Sequence, residues 1–160
     1  MAGKLRIYMD TSVISALFDE RNPERKFLTQ LFLKGTQDYE AYISDLVLME
    51  IQRTTHPGLK VEMEGIASKF PSLVITDDTE ELAAEYVRYD AVPRNYPEDA
   101  YHIAIATIHG TDWLVSWNFR HIVRKKTREI VRRVNGSRGL KIIEICAPPE
   151  LLEGDDDYAA

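Results

Sequence analysis

Asp10 ends an apolar run, Leu5-Arg6-Ile7-Tyr8-Met9, and is followed at once by Thr11-Ser12. A carboxylate where a core strand runs out is costly to bury unless something pairs with it. Two more acids sit in similar settings. Glu50 lies inside an apolar helical pattern, with Leu46, Val47 and Ile51 at i−4, i−3 and i+1. Asp99 falls in the first turn of a helix that Pro97 opens. Three acids on a buried framework, with no obvious basic partner beside them, have the chemistry of a site for a hard cation such as Mg2+ or Mn2+. Plainer readings exist for two of them. Glu50 at the edge of its stripe reaches water or pairs with Arg53, and Asp99, like Glu98, complements the helix dipole.

The elements that must position these acids alternate between strand and helix. Strands are predicted at 5–9, 39–43, 73–76, 113–116 and 141–146. Helices are predicted at about 12–18, from Pro23 to Lys34, from a Ser44 or Asp45 cap to about Thr54, and at about 59–69. Further helices run from an Asp77 or Asp78 cap to Asp90, from Pro97 to near Gly110, and across about 122–134. Five strands separated by helices imply an α/β fold, with a mostly parallel central sheet covered on both faces.

In such sheets sites form outside the carboxyl ends of the strands. Asp10 and Asn118 lie just past strands one and four. Asp112 lies just before strand four, and so belongs at the opposite rim, roughly 15–20 Å from Asn118 at about 3.3 Å per residue.

Of the 20 Lys and Arg residues, nine lie between Arg120 and Lys141, opposed only by Glu129, while the whole chain carries a net charge of −6. A concentrated basic segment on an acidic body can bind phosphate locally. Arg120, Arg124, Lys125 and Arg128 are therefore candidate phosphate ligands; the alternative is a solvated helix face. His102, one turn after Asp99, either orients that acid or packs as a hydrogen-bonded core histidine. His121 is placed to contact a phosphate or to act from the surface. Trp113 and Trp117 pack around the fourth strand, with Trp117 able to stack on a base if exposed.

The chain has 160 residues, 44% apolar and 29% charged, the profile of one soluble domain. Residues 1–149 form the expected domain and 150–160 an acidic flexible tail. The single cysteine, Cys146, lies in an apolar run, reads as a buried side chain and suits a reducing cytoplasm. No apolar stretch approaches the roughly 20 residues of a membrane span. No glycine-rich phosphate loop is present.

Four segments occur in an order and spacing that resembles PIN-domain nucleases, the group containing VapC-type toxins of toxin–antitoxin pairs. They are Met9-Asp10-Thr11-Ser12, the stretch from Ile43-Ser44 to Glu50, Glu98-Asp99-Ala100-Tyr101-His102-Ile103-Ala104, and Leu114-Val115-Ser116-Trp117-Asn118-Phe119. The resemblance spans Leu5 to about Cys146. It implies a three-layer PIN-like sandwich and a Mg2+- or Mn2+-dependent ribonuclease, with Asp10, Glu50 and Asp99 as the catalytic, metal-binding acids. Thr11 or Ser12 matches a small hydroxyl residue that supports the first Asp. Asn118 stands where many members carry another Asp; its amide oxygen can bind a hard cation but brings no charge. RNA, an antitoxin protein and a second copy of the chain are the implied partners, in the cytoplasm. The rival readings are a catalytically weakened PIN-like module for RNA binding or protein assembly, and a phosphoryl acceptor using Asp10. The last is disfavoured because no second acid flanks Asp10.

Overall fold

The computed structural model describes residues 3–153. Its centre is a five-stranded sheet in the order β3-β2-β1-β4-β5, parallel throughout. The strands are β1 (Arg6–Met9), β2 (Glu40–Ser44), β3 (Ser72–Leu73), β4 (Trp113–Val115) and β5 (Glu144–Cys146). Ile7, Tyr8 and Met9 are successive residues and all fully buried. Since successive side chains point to opposite faces, both faces of the sheet are covered.

The covering helices are α1 (Thr11–Ala16), α2 (Pro23–Lys34), α3 (Asp45–Gln52), α4 (Pro57–Ala67), α5 (Asp77–Arg88), α6 (Pro97–Ile108), α7 (Lys125–Ser137) and α8 (Pro148–Glu153). Helix α5 packs on α6 and α7, whereas α1 packs on α2, α3 and α4. Helix α6 reads Ala100 to Thr107 with all but one residue buried, the pattern of a helix sunk against a sheet. Gly110 and Gly139 follow α6 and α7 at φ +69° and +67°, a left-handed turn that glycine makes without Cβ strain. Among the described residues no helix is long and apolar enough to cross a membrane.

Differences from the sequence reading have local causes. Strand β3 stops at Leu73 because Thr76 caps α5: its hydroxyl accepts the Thr79 N–H, and Thr79 answers with its own hydroxyl. Strand β5 starts at Glu144, paired with Trp113, because β4 offers only three residues. The Lys141 carbonyl instead accepts from Asn135 Nδ2. Helix α7 begins at Lys125 because Ile122 and Val123 fold back, both donating to the Asn118 carbonyl. Helix α4 starts at Pro57 rather than about 59 because His56 caps it by accepting the Leu59 N–H. The domain boundary at 149 falls inside α8, which packs on α2 with Leu151 against the core. The remainder of the expected tail lies outside the described residues.

Asp112 sits at the amino edge of the sheet, as the rim rule requires. Its carboxylate accepts from Arg6 N at 2.8 Å and from Lys141 Nζ at 2.7 Å. Behind the sheet a buried polar node ties three helices: the Tyr86 hydroxyl donates to Asn135 Oδ1, and Asn135 Nδ2 reaches Thr107 Oγ1 at 3.2 Å. Tyr86→Phe leaves the buried Asn135 oxygen without that donor. The expected result is a loss of about 1–3 kcal/mol in urea unfolding.

Candidate active site

Asp10 follows β1 directly and caps α1. Its carboxylate is 3% exposed. Oδ1 accepts from Ser12 N at 3.1 Å and from Ser12 Oγ at 2.5 Å, and Oδ2 accepts from Ser116 Oγ at 2.6 Å. Ser116 follows β4, and the Met9–Val115 pairing sets it beside Asp10. Ser12 therefore fills the supporting hydroxyl role. The Thr11 hydroxyl turns instead to Glu50, donating to Oε1 at 2.5 Å.

Glu50 comes from the last turn and a half of α3 and also accepts from His102. Nε2 of that ring lies 2.7 Å from Glu50 Oε1, and Nδ1 lies 2.6 Å from the Tyr8 hydroxyl. A carboxylate only accepts, so Nε2 carries the proton. Tyr8 in turn meets Ser44 Oγ at 2.7 Å. His102 thus holds Glu50 rather than Asp99. Ser44 accepts the Val47 N–H and caps α3, so the rod Ser44–Tyr8–His102–Glu50 runs from the start of that helix back to its own acid. Glu98 also lies against Glu50 and pairs with Arg53 at 2.6 Å.

Asp99 is held by the loop after β4. Asn118 Nδ2 donates to Oδ1 at 3.2 Å, and His121 Nδ1 lies 2.9 Å from Oδ2. Asn118 Oδ1 accepts from His121 N. The Asn118 N–H donates to Ser116 Oγ, which donates to Asp10. Asp99 and Asp10 are in this way joined through one amide and one hydroxyl.

The fields of all three acids reach the His102 ring. Burial is the largest influence on His102 and opposes its charge. The Glu50 bond and the fields of Asp10, Glu50 and Asp99 outweigh it and raise the pKa above 6.5. Burial likewise pushes Asp10 up, more strongly than His102, Ser116 and Ser12 pull it down. For Glu50 burial also acts upward, but the bond and charge of His102, with Glu98 and Thr11, bring it down to about 2. Among the described residues no Lys or Arg forms an ion pair with Asp10, Glu50 or Asp99.

As placed, no three Asp, Glu, His or Cys side chains among the described residues are gathered tightly enough to hold one ion. The donor set still fits a hard divalent cation in chemistry. It offers three carboxylates acting on one imidazole, oxygen ligands and an excess of negative charge.

Sequence reasoning missed Ser116, Tyr8 and Ser44. Ser116 carried a usable signal, since it ends β4 as Asp10 ends β1. Tyr8 carried none, because its hydroxyl partners come from 36 and 94 residues away. Trp117 is 7% exposed, with Nε1 donating to Thr29 Oγ1 at 2.9 Å, so its ring faces no base. Arg120 and Lys125 are exposed; Arg128 is half-buried; Arg124 is held by Thr127 and the Ala91 carbonyl.

These shifts have signs. A raised His102 pKa stabilises the fold fully below about pH 6.5, and that contribution is lost as pH rises through the folded value. The lowered Glu50 pKa stabilises above about pH 4.5 and is lost as pH falls toward 2. In metal-free buffer the urea midpoint of the wild type should therefore fall from pH 6.5 upward. His102→Gln should flatten that limb and also shrink the acid limb below pH 4.5, because the bond and charge of His102 are what hold the Glu50 pKa down. An unchanged alkaline limb would refute the assignment.

The family model for the PIN domain matches residues 7–144. No curated protein matches the chain significantly. Two solved structures are similar in fold. One is a toxin–antitoxin complex from Klebsiella pneumoniae, with TM-score 0.55 and 18% identity over 72% of this chain and 88% of that one. The other is VapBC2 from Rickettsia felis bound to a DNA fragment from their promoter, with TM-score 0.56 and 11% identity over 89% and 98%. With the match running from β1 into β5 and the acids on the carboxyl edge of the sheet, the chain belongs to the PIN domain family.

Proposed function

We propose that this PIN-domain protein is a divalent-metal-dependent endoribonuclease, and that it is the toxin of a toxin–antitoxin pair. One observation carries the catalytic reading: at the carboxyl edge of a parallel sheet Asp10 and Asp99 are joined through Ser116 and Asn118, and Glu50, held by Thr11 and His102, acts together with both of them on the charge of the His102 ring. These three residues would hold Mg2+ or Mn2+. The bound cation would activate water and neutralise charge on the scissile phosphate.

The protein's own groups prepare that site. Ser12 and Ser116 fix both Asp10 oxygens, so its charge is oriented before any ion arrives. His102 and Thr11 fix Glu50, and Asn118 and His121 fix Asp99. Asn118 serves as a holder of Asp99 with its own oxygen engaged. Arg120 lies exposed in the loop that carries His121 to Asp99, and Lys125 and Lys126 begin α7 on the surface. They would take phosphates flanking the cut.

The toxin reading draws support from the fold neighbours, which are toxin–antitoxin complexes. An antitoxin and a second copy of the chain are the partners proposed. Co-purification with the product of an adjoining small gene, and light scattering of the purified chain, test each. The second reading is an RNA-binding module without cleavage. It is favoured by Asn118, which supplies no charge where many family members carry an acid.

Calorimetric titration with Mn2+ should show binding to the wild type and none to Asp10→Asn. Cleavage of RNA in Mn2+ should fall by roughly 100-fold or more in Asp99→Asn, the scale of losing one pre-organised charge at a reacting group. RNA binding with no cleavage in any divalent ion would support the second reading. Arg120→Ala should weaken RNA binding and lower the slope of log K against log salt by roughly 0.7, as for one lost single-strand phosphate contact. An unchanged slope removes Arg120 from the interface.

A further inference from the structure

Tyr96 caps α6 with its backbone and uses no side-chain hydrogen bond to do so. Its ring is 52% exposed. One face lies on the His121 imidazole, with centroids 4.3 Å apart and planes 36° apart. His121 is the ring that holds Asp99 Oδ2 at 2.9 Å. Tyr96, His121 and Asp99 therefore form a short stack that ends on a catalytic carboxylate, and its outer end is an aromatic surface in solvent. An exposed tyrosine by itself is ordinary. A rigidly backed one, two groups from a proposed catalytic carboxylate, is a platform.

A second aromatic surface rises from the same loop. Phe119 follows Asn118, is 47% exposed, and packs edge-on against Trp117 at 6.1 Å. The Arg25 guanidinium lies over both rings, 4.8 Å from the Trp117 centroid and 5.7 Å from that of Phe119. Aromatic faces with a cation beside them bind unpaired nucleobases, since every base offers a π-face. Paired bases are already stacked and offer no free face to either ring.

We infer that Tyr96 stacks an unpaired base of the RNA strand next to the Asp99 carboxylate, with Phe119 as a second stacking surface. The inference rests on the ribonuclease reading and adds to it two base-binding side chains. Stacking explains a feature the metal site does not: why a large ring is left half in water at the mouth of an acidic hollow. It also assigns the Tyr96 hydroxyl no role, which makes the assignment testable.

The test uses the full chain in EDTA, where RNA binding is read without cleavage. The probe is a short end-labelled oligouridylate, alone or annealed to oligoadenylate, followed by fluorescence anisotropy. Tyr96→Leu should weaken single-strand binding by roughly 5- to 100-fold, the range for one lost base–aromatic stack, and leave duplex binding unchanged. Tyr96→Phe should stay within about twofold of wild type, because the ring is kept. An abasic nucleotide placed along the oligonucleotide should find one position that weakens wild-type binding and leaves Tyr96→Leu indifferent. The abasic scan of the wild type stands alone even if the variant folds poorly: finding no position that weakens binding would overturn the assignment. Equal affinity of Tyr96→Leu and wild type, equal losses in the Phe and Leu variants, or equal losses on the duplex would each overturn the assignment. If the wild type cleaves RNA and Tyr96→Leu binds it normally, stacking alone fails. If the wild type neither binds nor cleaves RNA, the ribonuclease reading fails with it.

Discussion

The molecule is organised around one electrostatic problem: a carboxylate, Asp10, buried at the end of the central strand. Moving a charge from water into such a place costs several kcal/mol, and a protein usually answers with a cation or with many donors. Here the answer is donors. Ser12 gives a backbone N–H and a hydroxyl, and Ser116 gives a second hydroxyl. They do not cancel the cost, since burial still holds the Asp10 pKa above its ordinary value. A site left short of positive charge is poorly stable alone and well suited to a divalent ion, which binds better where ligands are already ionised, aimed and dry.

That requirement propagates through the fold. Ser116 can reach Asp10 only because β4 lies beside β1, in the register that pairs Met9 with Val115. In a parallel sheet that adjacency needs a long crossover, and everything from α1 to α6 lies between the two strands in sequence. The crossover brings α3 and α6 to the same rim, and with them Glu50 and Asp99. Each of these acids is then fixed by a ring, His102 or His121. The His102 ring is itself fixed by Tyr8, a core residue of β1. Glu50 is thus braced through the core strand, an arrangement that keeps its geometry from drifting, while Asp99 is held by the loop after β4.

How much of this a sequence discloses depends on whether the cause is local. Helix α2 is legible to the residue because its signals are adjacent: Pro23 at its start and Gly35 at its end. The rim rule separated Asp10 and Asn118 from Asp112 by counting residues past or before a strand, also a local operation. What was not legible depended on pairing between distant segments. His102 follows Asp99 by less than one helical turn, and its reading as a packed, hydrogen-bonded core histidine holds, but sequence could not name its partners, since the ring points across to Glu50 in another helix and back to Tyr8. Tyr8 reads as core by every pattern, and its burial is complete, but its hydroxyl does polar work that hydrophobic periodicity conceals. Strand β5 was read too long because its length is set by its partner β4, not by its own apolar run.

Asn118 shows why the neutral residue at the fourth position is more than a missing charge. Its Nδ2 donates to Asp99, its Oδ1 accepts the His121 N–H, and its backbone N–H supports Ser116. A carboxylate there could keep the second contact but not the first: it has no N–H to give and would repel Asp99 across the same gap. In the absence of an ion, then, the amide holds together what a fourth acid would push apart. With an ion bound the balance reverses, because a fourth acid would add charge to the ligand field and the amide adds none. Asn118 thus brings order to this edge of the sheet and forgoes a charge that a fourth acid would bring. It also places the Tyr96–His121 pair where it stands, since the amide oxygen anchors the His121 backbone on which that ring rests. On the proposed reading, metal affinity and the seating of the aromatic platform would therefore be coupled through a single side chain.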